Sequence, residues 1–197
     1  MSLKARLILS FGSIIIIMLI TSAMIIKNIK HINDEITSID NTWIPAATAI
    51  QNTNAMLFSA RGDLSAIATL HDPNEIEHYT AHMSGLLRRI SDSKKIFADA
   101  LDRMPQSKRK QAILDMTAQI NAQSAQFADM RKTLLAHVKS GKNEEAIQLL
   151  ANSRTPFLKL ADLYDQIICL SIEGANIASS DARSTSEQSI IFSTGFS

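Results

Sequence analysis

The sequence predicts an all-α protein, an N-terminal transmembrane helix followed by an antiparallel up-down-up-down four-helix bundle. Three observations lead there. Gly (6) and Pro (4) are scarce in a chain of 197 residues, so the residues that break a chain into strands and turns are nearly missing. Residues 7–26 carry no charge. Beyond them, apolar residues recur at 3-4 spacing in four segments separated by short interruptions.

The uncharged run includes Ile14-Ile15-Ile16-Ile17-Met18-Leu19-Ile20. As a helix it covers about 30 Å, the thickness of a bilayer's hydrocarbon core. A cleaved signal peptide would have a shorter apolar region of about 7–15 residues. Thr21-Ser22-Ala23 resembles a cleavage site, but the apolar run continues through Ile25 and Ile26, so a retained span is expected. Lys4 and Arg6 assign residues 1–6 to the cytoplasm, against the weaker pull of Lys27 and Lys30 on the far side.

The interruptions fall at His71-Asp72-Pro73-Asn74, Met104-Pro105-Gln106-Ser107 and Ser140-Gly141-Lys142-Asn143. Asp72 suits a helix cap and Pro73 a first helical turn. They bound helices at about 27–70, 74–104, 106–140 and 143–188, and short connections make consecutive helices antiparallel. The seams read Ala47, Ile50, Asn54, Leu57, Arg61 and Leu64 in the first helix, then Met83, Leu86, Ile90 and Phe97 in the second. The third carries Ile113, Met116, Ile120, Gln123, Phe127, Met130 and Leu134, and the fourth Ile147, Leu150, Arg154, Phe157, Ala161 and Tyr164.

The first and fourth helices match in length, about 66 and 69 Å, and Ile190-Ile191-Phe192 begins a second apolar run. The expected organisation is a cytoplasmic 1–6, a span at 7–26, a sensor bundle at 27–188, and at 189–197 the start of a second span cut short. The single cysteine, Cys169, leaves no partner for an intrachain disulfide and is expected as a small buried hydrophobe.

Three stretches carry a resemblance. Asn41-Thr42-Trp43-Ile44-Pro45-Ala46 looks like a Trp-(Leu/Ile)-Pro segment early in a first bundle helix. The run from Asn54 to Leu64 looks like an arginine-bearing mid-helix segment, and Ser140-Gly141-Lys142-Asn143-Glu144-Glu145-Ala146 like a glycine turn opening a fourth helix. With the anchor in front, the chain resembles the four-helix-bundle sensor family of methyl-accepting chemotaxis proteins over essentially its whole length. The resemblance implies a homodimeric receptor of the bacterial inner membrane with this domain in the periplasm. It also implies a small-molecule ligand near the membrane-distal end and a piston-like helix shift passed inward. Kinase and adaptor partners would act only through a cytoplasmic part that lies outside this sequence.

Arg61 and Arg154 occupy seam positions that should be apolar, and an inward charge needs a partner or a ligand. On antiparallel helices they fall at one height, about 50 Å from the membrane. Phe127, Met130 and Arg131 of the third helix and His82 and Met83 of the second share that level. The expected ligand site is therefore Arg61, Arg154, Thr155, Phe157, Arg131 and Met130, with the guanidinium pair clamping a carboxylate. The competing reading pairs Arg61 with Asp63 or with a neighbouring subunit. The resemblance supports Arg61 in particular, because arginines of this helix contact amino-acid ligands in relatives; those relatives use more than one, which leaves organic acids open.

No catalytic residues, cofactor or metal site is expected. Glu75-Ile76-Glu77-His78 contains a Glu-x-x-His with His82 four residues on, but no second Glu-x-x-His exists for a dimetal site. His71, His78 and His82 are expected as solvated surface residues. One cysteine rules out a Cys-x-x-Cys-His haem attachment, there is no phosphate loop or nucleophile constellation, and a net charge of +1 offers nothing to nucleic acid. Two alternatives to a chemoreceptor stay open: the same bundle feeding a histidine kinase or cyclic-dinucleotide enzyme, and a ligand-free structural or adaptor bundle.

Overall fold

The computed structural model describes the backbone of residues 3–194 and the side chains of residues 4 and 11–190. Among the described residues there are only helices: α1 (Leu3–Ser38), a π-helical turn (Ile39–Trp43), α2 (Ile44–Thr69), α3 (Pro73–Arg103), α4 (Lys108–Lys139), α5 (Asn143–Asn152) and α6 (Arg154–Thr194). They group into two compact units. One is Asp40–Gly174; the other comprises the described parts of Met1–Ile39 and Ala175–Ser197.

The boundaries follow from local chemistry. Asp72 caps α3, its carboxylate accepting from the Asn74 N–H at 2.9 Å, with Pro73 in the first turn where a missing N–H costs nothing. Ser107 caps α4 by accepting from the Lys110 N–H at 3.1 Å. Helix α4 ends in a Schellman motif. Lys142 N–H donates to the His137 carbonyl and Gly141 N–H to that of Val138, and Gly141 takes φ 70°, a conformation costly for a residue with a Cβ. The Asn143 amide then donates to the Leu70 carbonyl at 3.2 Å, tying the α2–α3 and α4–α5 turns together.

Contacts between the helices of Asp40–Gly174 fix their directions. Trp43 meets Gly174, Asn54 donates to Asp165, Arg61 to Ser153, and Leu70 accepts from Asn143. Numbers rise along α2 as they fall along the fourth helix, so the two are antiparallel, as the short connections require. Ile67, Ile113, Leu134, Leu160, Tyr164 and Ile167 are almost fully buried and form the core, with Met56, Met83 and Met104 filling irregular gaps. Lys110 is a buried cation whose ammonium donates to the Met104 carbonyl at 2.9 Å and to that of Asp102 at 3.3 Å, so it satisfies the end of α3.

Proline shapes two of the helices. Pro45 has no N–H for the carbonyl four residues back, and the turn just before it is the π-helical Ile39–Trp43. Trp43 is left 4 % exposed, against Gly174, where an added Cβ would clash with the indole ring. In the fourth helix, Pro156 likewise deprives Asn152, and the helix is interrupted at Ser153 between α5 and α6.

In the other unit the apolar side chains of Phe11, Ile14–Ile20, Met24, Ile26 and Ile29 are exposed. Among the described residues, one helix near the N-terminus is long and apolar enough to cross a membrane by length and composition. Asn28 donates to the Ser189 hydroxyl at 2.8 Å, and Ser189 in turn to the Thr185 carbonyl at 2.9 Å. Of the second apolar run expected at 189–197, residues 195–197 and the side chains beyond 190 lie outside the described residues.

Two expectations change. Cys169 is exposed: the fourth seam runs through Tyr164, Ile167 and Ser171, and residue 169 falls on the opposite side. His82 is exposed as expected, but its Nδ1 lies 2.8 Å from the buried Asp63 carboxylate, the partner that the competing reading gave to Arg61. Asp63 therefore pairs with His82 and not with Arg61. His71 and His78 are exposed as expected, His78 standing edge-on to Tyr79 at 5.6 Å.

Candidate functional site: a cationic cavity

The interruption at Ser153 creates the demand that Arg61 answers. Helical continuity is lost there, and the Leu150 carbonyl accepts from the Ser153 hydroxyl at 2.7 Å and from Arg61 Nη2 at 3.0 Å. Arg61 Nη1 donates to Ser153 Oγ at 2.9 Å, and the guanidinium lies over the Phe157 ring, 4.8 Å from its centroid. Phe157 is itself wedged edge-on between Phe58 (4.9 Å) and Phe127 (5.6 Å). An arginine of α2 thus spans the break in the fourth helix. Its pKa is lowered, first by burial and then by repulsion from Arg154.

Beside this arrangement lies a cavity of about 360 Å³ between α2, α3, α4 and α6. Leu57, Leu64, Leu87, Ile90, Phe127 and Leu160 supply apolar walls. Arg61, Lys94 and Arg131 bring three cations and Ser124 a hydroxyl, and no Asp or Glu lines the cavity. Burial lowers the Lys94 pKa, because the ammonium has lost water. Near Ser124, the Tyr164 hydroxyl is buried and its pKa is pushed up to about 12 by desolvation, which Ser124 partly offsets. The two side chains approach without completing a hydrogen bond of regular geometry, and the adjacent Gln123 Oε1 is also buried and unpaired.

Of the six residues expected at the site, the structure brings Arg61, Met130, Arg131 and Phe157 together around the cavity. Arg154 and Thr155 are exposed and line none of it. The expectation of an inward Arg154 assumed an unbroken fourth seam. With the helix interrupted, half-buried Ser153 faces Arg61 and Arg154 turns outward, acting on Arg61 only through charge.

Lys94 is the residue that pattern reading missed, and a signal for it existed. The second seam has no apolar residue at the position midway between Ile90 and Phe97, where Ser93-Lys94 stands instead. Ser124 next to the seam residue Gln123 repeats that signal on α4. Among the described residues no group of three or more His, Cys, Asp or Glu is placed to hold a metal.

The search of curated proteins returned no match. The family described as the four helix bundle sensory module for signal transduction matches residues 1–186. Such modules are sensory parts of chemoreceptors and not catalytic domains. The helical bundle, its antiparallel order and this match together make the chain a member of the four-helix-bundle sensory family of methyl-accepting chemotaxis proteins.

Proposed function

We propose that the chain is the extracytoplasmic ligand-sensing part of a transmembrane chemoreceptor of the bacterial inner membrane, with Asp40–Gly174 in the periplasm. A small molecule binds in the cavity and a helix shift carries the signal across the bilayer. The observation that carries the reading is a cavity with three cations and no carboxylate in its lining, inside a bundle of a sensory family. Arg61 supplies the coupling: its guanidinium spans the break at Ser153, and an anion drawing on its remaining N–H groups changes the load on α6.

The exposed apolar side chains of residues 11–20 support a bilayer around α1, because an apolar patch of that size is costly in water. The domain limits proposed are cytoplasmic 1–6, a span at 7–26, the sensor at 27–188 and a second span beginning at 189. A homodimer is supported by α2. Its only charges, Arg61 and Asp63, are half-buried and buried, so the solvent face of Ile44, Gln51, Ala55, Phe58 and Gly62 is uncharged. For a surface helix that is unusual, and it suits a second copy.

Thermal-shift screening of the full chain in lipid nanodiscs against organic acids, amino acids and amines tests direct sensing. Stabilisation by at least one anionic class is expected. A flat response to every class would contradict it.

A further inference from the structure

The cavity's chemistry narrows the ligand class, an inference that rests on the sensing role proposed above. Neither Lys94 nor Arg131 has a hydrogen bond or ion pair within the described residues. The buried carboxylate close in sequence to Arg61, Asp63, is already held by His82. Cations facing apolar walls without a counter-ion are costly, and the cost is removed when an anion enters.

Helix direction makes the cations converge. The His82–Asp63 pair sets the α2–α3 register, so Lys94 starts about ten residues, or about 15 Å, from Arg61 toward the N-terminus of α2. Side chains on a helix lean toward that helix's own N-terminus. Lys94 on α3 therefore leans toward the level of Arg61. Arg131, on a helix running the other way, leans back toward Lys94, while Arg61 is held at its own level by Ser153 and Leu150. Lys94 and Arg131 are thereby directed toward a common level of the cavity, whose other lining residues include Leu57, Leu87, Ile90 and Phe127.

We propose that the cavity takes a monoanion with an apolar body, an aromatic or branched aliphatic carboxylate, its charge met by Lys94 and Arg131 and its body lying among Leu57, Leu87, Ile90 and Phe127. Arg61 keeps its bonds to Ser153 and Leu150 and offers the anion its remaining N–H groups. Size agrees: a dry cavity of about 150 Å³ holds benzene, so about 360 Å³ accommodates a substituted ring with its carboxylate. Amino acids fit poorly, because their ammonium would meet three cations and no carboxylate in the lining. Small dicarboxylates would press a second charge against leucine and phenylalanine walls.

Isothermal titration of the full chain in nanodiscs with benzoate, benzamide, L-aspartate and succinate tests the class. Benzoate binds; benzamide, the same shape without the charge, binds at least tenfold more weakly, and aspartate and succinate do not displace benzoate. Lys94→Met and Arg131→Met each weaken benzoate at least tenfold, with far-UV circular dichroism unchanged; if one variant misfolds, the other decides. Aspartate or succinate binding as tightly as benzoate, or benzoate affinity unchanged in the folded variants, overturns the ligand class and leaves the sensing role standing. Silence from all four compounds also overturns the class, whereas the sensing role falls only if the wider screen is silent too.

Discussion

Two levels of the same bundle, roughly 27 Å apart along α2, are packed by opposite rules. At Trp43 the indole lies on Gly174 so closely that a methyl group has no place. At Arg61 the helices stand off a cavity of about 360 Å³ lined by three cations. One level is a fitted joint, where the small residue exists to admit the large one. The other withholds the side chains that would close it and breaks the fourth helix alongside. The difference separates a stiff end, suited to passing on a displacement, from a soft level, suited to starting one.

The largest effect is expected at the joint. Trp43→Ala should cost about 3–5 kcal/mol, as large aromatic truncations in cores do, measured by thermal or denaturant unfolding of the full chain. Gly174→Ala follows at about 1–3 kcal/mol from overpacking, and Trp43→Leu in the same chain should recover part of it. A gain in stability from Gly174→Ala would show that the joint is not tight.

The raised pKa of Tyr164 gives a pH signature for the soft level. The unfolded phenol ionises near 10 and the folded one near 12, so the folded state holds the proton that the unfolded state has released between those values. This stabilisation is complete below about pH 10 and is lost as pH rises toward 12. Melting temperature should therefore fall across that interval, and Tyr164→Phe should flatten the fall. Lys94 acts in the opposite sense, its lowered pKa making stability rise with pH only up to about 10.5.

Smaller effects sharpen the contrast. Gly62 sits on the exposed face of α2 with open space where a Cβ would be, so Gly62→Ala should stabilise by about 0.5–1 kcal/mol, opposite in sign to Gly174→Ala. Ala128→Leu projects into the cavity and should change stability by less than about 1 kcal/mol while abolishing ligand binding in the same titration. Should it cost several kcal/mol instead, the space is not open.

Much of this was legible in the residues themselves. Asp72-Pro73, Pro105-Gln106-Ser107 and Gly141 mark the helix ends because caps and turns depend on local chemistry, and Arg61 announces itself as a charge in an apolar seam. Arg154 was misread because seam counting assumes a continuous helix, and the step at Ser153 depends on Pro156 together with an arginine from another helix. Lys94 hid in a seam gap that resembles an ordinary surface step until the four helices are set side by side. The pairing of His82 with Asp63 joins two helices, and no spacing along one chain segment encodes it.

We propose above that a small molecule is sensed inside the bundle, at the level of Arg61. Methyl-selective NMR of the full chain in nanodiscs, titrated with benzoate, tests it most directly. Shifts concentrated at Leu57, Leu87 and Ile90 are expected, with Ile50 and Ile113 unmoved. Shifts centred on Ile44 and Ala55 of the exposed α2 face, with the cavity methyls silent, would contradict it.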